Sequence, residues 1–263
     1  MSTIEIERVS DAVRVVRLNR PDRLNAMNFQ LIGDLHDALD MIAGDEACKV
    51  AVLTGTGRAF CAGLDLKDYG EPPAVGAHRF RYAGSTFQSF IADLTLHMRA
   101  TPQLLVAAVN GAAFGGGLSL SLACDLRVAS RDASFCSAFV KTGLTGTDIA
   151  VTYLLPRLIG AARAFDMIVT GRTVDAEAAE RFGIVSRLYD DGPALLDGAL
   201  ALAEEIAARP GSSLRATKEV MWANLDTPNM AACISLENRN QLMASANPEV
   251  QAFMADYAAR ITR

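Results

Sequence analysis

The sequence predicts an α/β protein in which a parallel-stranded core is followed by a helical C-terminal region. Short apolar segments that indicate strands occur at 49–54, 104–109 and 125–129, with helix-like segments between them. Strands that alternate with helices in this way favour a parallel sheet with helical crossovers. After about residue 190 the chain becomes rich in Ala, Leu and Glu. Prolines there separate four predicted helices, at 194–208, 213–224, 230–245 and 249–261.

Further elements are predicted along the first part of the chain. Apolar residues alternate with polar ones at 4–6 and at 13–15, which predicts two strands. Asn28 is a suitable N-cap for a helix whose apolar face carries Leu31, Ile32, Leu35, Leu39 and Ile42. Residues from near His78 to Arg99 predict another helix. Helices are also predicted at 149–158, 161–169 and 175–182, with a short strand at 184–187.

One uncharged stretch, residues 100–124, is long enough to span a bilayer. However, Pro102, Asn110 and the triple glycine at Gly115 interrupt it. A buried strand that turns into a buried helix accounts for the same residues. We therefore expect no membrane association.

Composition narrows the classes of function. The chain has 263 residues, of which 51% are hydrophobic, and this composition is typical of a folded protein. Its net charge of −5 does not favour a nucleic-acid partner. Five scattered cysteines form no C-x-x-C pair, and the three histidines lack metal-ligand spacing, so neither a metal site nor a disulfide framework is expected. The acidic N-terminus lacks the features of a signal peptide. A cytoplasmic location is therefore expected.

Two glycine segments follow predicted strands. The first runs from Gly55 to Asp65 and the second from Asn110 through the triple glycine. Both offer backbone N–H groups, which could hold a developing oxyanion if the two segments converged. Alternatively, the glycines only permit tight turns and close packing. Dinucleotide, P-loop and nucleophile-elbow motifs are excluded by spacing.

Several segments together resemble one family, the crotonase (enoyl-CoA hydratase/isomerase) superfamily. These segments are LNRPDRLNAM at 18–27, RAFCAGLDL at 58–66, LLVAAVNGAAFGGGLSLSLACDLRVAS at 104–130, YLLPRLIG at 153–160 and TGRTVDAEAAERFGIVSRL at 170–188. The resemblance implies a ββα superhelical core that binds acyl-CoA, over residues 1–195, and a helical oligomerisation region, over 196–263. It also implies a homotrimer or a hexamer, a role in fatty acid metabolism, and no cofactor, since coenzyme A is part of the substrate.

The same resemblance implies site residues. The backbone N–H groups of Leu64 and Gly116 should hold the thioester carbonyl oxygen. The coenzyme is expected near Arg23, Ala62, Asp65, Leu66, Lys67 and Lys218. For the three basic residues in that set, the alternative is a solvated surface charge.

The sequence departs from family members that hydrate enoyl-CoA with two glutamates. Ser119 and Phe139 stand at those two positions. Phenylalanine cannot transfer a proton, and serine needs an activating partner, which argues against two-glutamate hydration. Asp148 lies eight residues before Pro156, as an active aspartate does in some family isomerases and in a dehalogenase, although counting from Gly143 requires an insertion. Alternatively, Asp148 is the N-cap of the following helix.

Three hypotheses follow. The first is an isomerase or lyase on enoyl-CoA thioesters, with Asp148 as acid/base; isomerisation fits best. The second is a non-catalytic acyl-CoA-binding protein on the same fold, and the third is atypical hydration beside Ser119. Other polar residues expected near the acyl group are Cys136, Ser137, His78, Arg79 and Tyr82, of which Cys136 could instead be a buried filler and His78 a surface residue.

Overall fold

A computed structural model describes residues 2–71, 87–143 and 145–261. The N-terminal part of the helix predicted near His78 to Arg99 lies outside these residues, as do His78, Arg79 and Tyr82. The strands are β1 (Ile4–Arg8), β2 (Val13–Leu18), β3 (Val50–Gly55), β4 (Ala59–Cys61), β5 (Leu104–Val109), β6 (Ala112–Phe114), β7 (Leu126–Ser130), β8 (Ser134–Cys136), β9 (Thr173–Asp175) and β10 (Arg187–Tyr189).

Two sheets form from these strands in the described part of the chain. The larger has the order β1-β2-β3-β5-β7-β10 and is parallel except for the antiparallel pair β1·β2. The smaller has the order β4-β6-β8-β9, with β9 antiparallel to β8. The chain passes from the larger sheet to the smaller three times, at β3–β4, β5–β6 and β7–β8. At each passage a turn follows the end of a strand of the larger sheet.

Ten α-helices and two short 3-10 helices, at Pro21–Arg23 and Ala138–Thr142, complete the described chain. The α-helices are α1 (Phe29–Gly44), α2 (Phe87–Ala100), α3 (Gly116–Ala123), α4 (Val151–Ile159), α5 (Ala161–Thr170), α6 (Ala176–Phe182), α7 (Gly192–Ala207), α8 (Gly211–Leu225), α9 (Met230–Ser245) and α10 (Pro248–Ile261). Asn28 caps α1 as predicted, since its side chain accepts a hydrogen bond from the Leu31 N–H.

The uncharged stretch at 100–124 forms β5, β6 and the buried helix α3, which confirms the prediction of a strand turning into a helix. No helix in the described ranges is long and apolar enough to cross a membrane. The last predicted strand, at 184–187, lies further along the chain in the structure, where β10 begins at Arg187. Ile184 and Val185 are buried just before it.

The larger sheet is covered on both faces. On one face, Val13 and Val52 pack with Leu195 and Ala199 of α7, and on the other lies the larger core cluster with α1 and α3. Because side chains alternate along a strand, a sheet buried on both faces needs nearly continuous apolar strands. The predicted boundary at 195/196 falls inside α7, which packs on the core sheet; the division into two regions stays a prediction.

The C-terminal helices α8, α9 and α10 have the predicted extents within about two residues. Many of their apolar side chains are exposed in the single chain, including Met230 at 77% and Leu242 at 71%. Such a surface is typical of an interface. The trimer or hexamer itself stays a prediction.

Candidate active site

A pocket of about 120 Å³ lies where the two glycine segments meet. The described residues that line it are mostly apolar. They are Met27, Ala62, Gly63, Leu64, Leu66, Ile91, Gly115, Gly116, Ala138, Phe139, Thr142, Asp148 and Ile149. Leu64, Gly116 and Asp148, far apart in sequence, are thus brought to one cavity.

The backbone around Leu64 is fixed by an isolated parallel bridge to Met27. The Met27 N–H donates to the Gly63 carbonyl at 2.7 Å, and the Asp65 N–H donates to the Met27 carbonyl at 2.8 Å. Since the groups on either side of Leu64 point toward Met27, the N–H of Leu64 itself points away from it. Among the described residues, this N–H has no acceptor.

Gly116 begins α3, so its N–H is one of the donors that a helix N-terminus leaves without an intrahelical partner. The N–H of Gly115 is already bonded to the Cys136 carbonyl at 2.9 Å, whereas that of Gly116 has no acceptor within the described ranges. A Cβ on Gly63 would lie 3.6 Å from the Gly116 nitrogen, which measures how closely the two glycine segments approach.

A side chain at either of two of these glycines would meet neighbouring atoms. A Cβ on Gly63 would approach the Phe114 carbonyl oxygen to 2.8 Å, and Gly63 also has a φ of +97°, which L side chains rarely adopt. A Cβ on Gly116 would approach the Met27 sulfur to 2.8 Å and Ile149 Cδ1 to 3.4 Å. Residue 116 therefore presents only its backbone to the pocket.

Asp148 is half-buried at the pocket wall. Its Oδ1 accepts hydrogen bonds from Gln88 Nε2 at 2.7 Å and from the Ile149 N–H at 2.8 Å. Burial raises the pKa of the Asp148 carboxyl, and the bonds from Ile149 and Gln88 offset part of that rise. A raised pKa in a pocket suits a group that exchanges protons.

Asp148 is not the N-cap of the following helix. Helix α4 begins at Val151, and Ala150 is its N-cap residue, without a side-chain cap bond. Ile149 and Ala150 both have left-handed backbones, with φ of 46° and 61°. Such conformations cost about 1–3 kcal/mol for residues other than glycine, and here they turn the chain sharply after Asp148.

The two positions at which the resemblance places the hydratase glutamates, 119 and 139, lie in different surroundings. Phe139 lines the pocket and lies within 3.7 Å of a Cβ placed on Gly115. Ser119 is fully buried in α3, is not among the described pocket-lining residues, and its hydroxyl has no hydrogen-bond partner in the described ranges. Neither residue supplies a titratable group to the cavity.

The residues predicted near the coenzyme fall into two groups. Ala62 and Leu66 line the pocket, and Lys67 is exposed beside them. The carboxylate of Asp65 is buried and paired with Arg20 at 3.1 Å and Arg23 at 3.4 Å, and it also accepts from the Lys67 N–H. Burial alone would raise the pKa of Asp65, but these partners lower it below its usual value. Its side chain thus holds the loop together.

Lys218 requires a correction, both as a coenzyme contact and as a solvated charge. Its ammonium is buried and bonds to the Gln103 carbonyl at 2.9 Å, to Asp125 Oδ2 at 3.0 Å and to the Met98 carbonyl at 3.4 Å. An ammonium has three donors, so none is left for a phosphate. Sequence could not reveal this burial, because Lys218 lies on a helix that is mostly exposed.

Other polar candidates do not reach the cavity in the described part of the chain. Cys136 is buried, and its Sγ donates to the Gly171 carbonyl at 3.0 Å; Ser137 is buried as well. No group of three or more His, Cys, Asp or Glu side chains that could hold a metal occurs among the described residues. The contributors that were not predicted include Met27, which closes over Gly116, and Gln88, which holds Asp148.

Comparison with known proteins gives one consistent family. The sequence profile described as "Enoyl-CoA hydratase/isomerase" matches residues 8–261. A probable enoyl-CoA hydratase of Mycobacterium bovis is 42% identical over 245 residues, covering 92% of this chain and 85% of that protein. The 1,2-epoxyphenylacetyl-CoA isomerase of Escherichia coli is 33% identical over 261 residues, covering 98% and 97%.

Solved structures agree. The crystal structure of a probable enoyl-CoA hydratase/isomerase from Mycobacterium abscessus superimposes with a TM-score of 0.89 at 36% identity, covering 100% of this chain and 96% of that one.

Proposed function

Because this chain belongs to the enoyl-CoA hydratase/isomerase (crotonase) superfamily, whose hydratases and isomerases act on CoA thioesters, we propose that it moves a double bond within an enoyl-CoA, with Asp148 as the proton carrier. One observation carries the proposal. Among the described residues that line the pocket, Asp148 is the one ionisable side chain. A single acid/base group suffices for isomerisation, whereas two-glutamate hydration requires two.

In the proposed reaction the thioester oxygen accepts hydrogen bonds from the N–H groups of Leu64 and Gly116. Two observations support this pair: both residues line the pocket, and neither N–H has an acceptor among the described residues. Fixed donors aimed at an oxygen that gains negative charge lower the barrier to enolate formation. The N-terminus of α3 adds its partial positive charge.

The proton then moves through Asp148. As a carboxylate it removes a proton from Cα of a 3-enoyl thioester, which leaves a dienolate whose charge rests largely on the thioester oxygen. The same carboxyl, now protonated, returns the proton to Cγ, so the double bond ends between Cα and Cβ and the enzyme is regenerated. The raised pKa of Asp148 favours the first transfer, since it makes the carboxylate a stronger base.

Phe139 and Ser119 support isomerisation over hydration. An aromatic ring at the wall cannot activate or deliver water, and the buried Ser119 hydroxyl does not line the cavity in the described ranges. The relatives carry both isomerase and hydratase names. Acyl-CoA binding without turnover is the alternative outcome.

For the coenzyme, we assign Ala62, Leu66, Lys67 and Arg23 to its path from the pocket, with no additional cofactor. Ala62 and Leu66 line the cavity, and Lys67 and Arg23 place positive charge on the adjoining loops. The exposed apolar faces of α8 to α10 support assembly as a trimer or a hexamer.

The test is a panel of 2-enoyl- and 3-enoyl-CoA thioesters offered to the parent protein and to Asp148→Asn. Isomerisation by the parent and a loss of about 10²–10⁴-fold in the variant is expected. The matched control is Asp197→Asn, which changes an exposed aspartate of α7 and should leave turnover unchanged. Binding of every thioester without turnover by the parent, or full turnover by Asp148→Asn, contradicts the proposal.

A further inference from the structure

An amide side chain from α2 holds one oxygen of the Asp148 carboxyl. Gln88 Nε2 donates to Oδ1 at 2.7 Å across a separation of sixty residues in sequence. The Ile149 N–H donates to the same oxygen at 2.8 Å. No described residue donates a hydrogen bond to Oδ2. The two oxygens of this carboxyl are therefore in different environments.

We propose that Gln88 is a positioning residue that turns the Asp148 carboxyl so that Oδ2 is the oxygen that carries the proton. The inference rests on the proposed function, in which Asp148 is the shuttle. The terminal torsion of an aspartate is broad and roughly two-fold, so a half-buried carboxyl can rotate unless donors hold it. Two donors converging on Oδ1 fix that rotation.

Gln88 also affects the proton affinity of Asp148. A hydrogen bond from a neutral amide favours the carboxylate over the acid. Together with the Ile149 N–H, the Gln88 amide opposes the rise in the Asp148 pKa that burial causes. The carboxylate form, which must be present to remove the first proton, is thereby kept available.

The position of Gln88 on its helix fits this role. Ile91 lies three residues further along α2 and lines the pocket. Residues three apart share a helix face, so the face of α2 that closes the pocket also carries the amide. Displacement of α2 would thus change the pocket wall and the Asp148 carboxyl together.

The experiment compares Gln88→Leu with the parent through the pH dependence of kcat/KM on the best 3-enoyl-CoA substrate. We expect a loss at every pH, because the freed carboxyl can rotate, and a further loss of about tenfold at the acidic end of the profile, because the variant's carboxylate protonates more readily. The matched control is Gln30→Leu. Gln30 makes the same type of bond, to Asp34 Oδ1 at 2.6 Å, on the exposed side of α1, and its loss should leave the profile unchanged.

A second readout does not depend on turnover. Infrared titration of the carboxyl band, with the Asp148→Asn spectrum subtracted, should show protonation of Asp148 at higher pH in Gln88→Leu than in the parent. If Asp148→Asn is inactive while Gln88→Leu keeps both the parental profile and the parental titration, the inference fails and the proposed function stands. An active Asp148→Asn instead overturns the proposed function. An even loss at all pH values, with an unchanged titration, overturns the inference by showing a merely structural role.

Discussion

The sulfur of Met27 occupies the space that a side chain at residue 116 would need: a Cβ on Gly116 would lie 2.8 Å from Met27 Sδ. The neighbouring glycine is limited by backbone instead, since a Cβ on Gly117 would lie 2.0 Å from the Cys61 carbonyl oxygen. A thioether at the end of a flexible side chain can move, whereas a strand carbonyl cannot. The two glycines thus differ in what a substitution costs.

We predict that Gly116→Val retains the fold but loses thioester chemistry. The new side chain should displace Met27 into the pocket and block the approach to the Gly116 N–H, so that kcat/KM falls by about 10²–10³-fold, while overpacking costs about 1–3 kcal/mol. Steady-state kinetics and urea unfolding measure the two effects. Gly117→Val is the contrasting variant and should fail to fold. A Gly116→Val protein with parental binding and turnover would falsify the oxyanion role of residue 116.

The raised pKa of Asp148 predicts how stability depends on pH. The folded protein binds a proton on this carboxyl more readily than the unfolded chain does. Asp148 therefore destabilises the fold as pH rises, first through the pKa of Asp148 in the unfolded chain and then through its higher pKa in the folded protein. Asp148→Asn, which keeps an oxygen for both donors, should therefore be more stable than the parent at neutral pH. Their free energies of unfolding should converge at acidic pH, below both pKa values. Denaturant unfolding at several pH values checks this; a stability difference independent of pH contradicts it.

Ser119 is predicted to be dispensable. Its hydroxyl is fully buried and lacks a partner among the described residues, and an unsatisfied buried polar group costs about 1–3 kcal/mol. Ser119→Ala should keep full activity and match or exceed the parent in stability. Ser121→Ala is the control on the same helix, because its hydroxyl bonds to the Leu118 carbonyl at 2.7 Å, and it should lose about 1 kcal/mol. Slow hydration of 2-enoyl-CoA that disappears in Ser119→Ala would instead support a catalytic serine.

Asp125 is predicted to anchor α8 to the core. It pairs with Lys218 at 3.0 Å and Arg99 at 3.6 Å and accepts from Trp222 Nε1 at 2.9 Å. Asp125→Asn removes the charge that balances two buried cations, which should cost about 3–5 kcal/mol. Asp190→Asn removes one of the two exposed acidic partners of Arg131 and should cost less than about 1 kcal/mol. Comparable losses of unfolding free energy in the two variants would contradict an anchoring role for Asp125.

Many elements were predictable from local pattern. The N-cap at Asn28, the buried helix after the triple glycine and the four C-terminal helices depend on side-chain periodicity and capping, which neighbouring residues carry. The smaller sheet was not predicted, because its strands are three residues each. Three residues are too few for an alternation to be recognised, and their pairing joins segments far apart in the chain.

The sequence by itself determined the family, the order of the longer strands and of the helices, and the presence of Ser119 and Phe139 where the resemblance expects the hydratase glutamates, because these are properties of residue type and spacing. Only the tertiary structure decided that Asp148 shares a cavity with Leu64 and Gly116, that Gln88 holds its carboxyl, and that Lys218 is buried. Those facts depend on which distant segments the fold brings within hydrogen-bond distance and away from water, and no local pattern encodes such proximity.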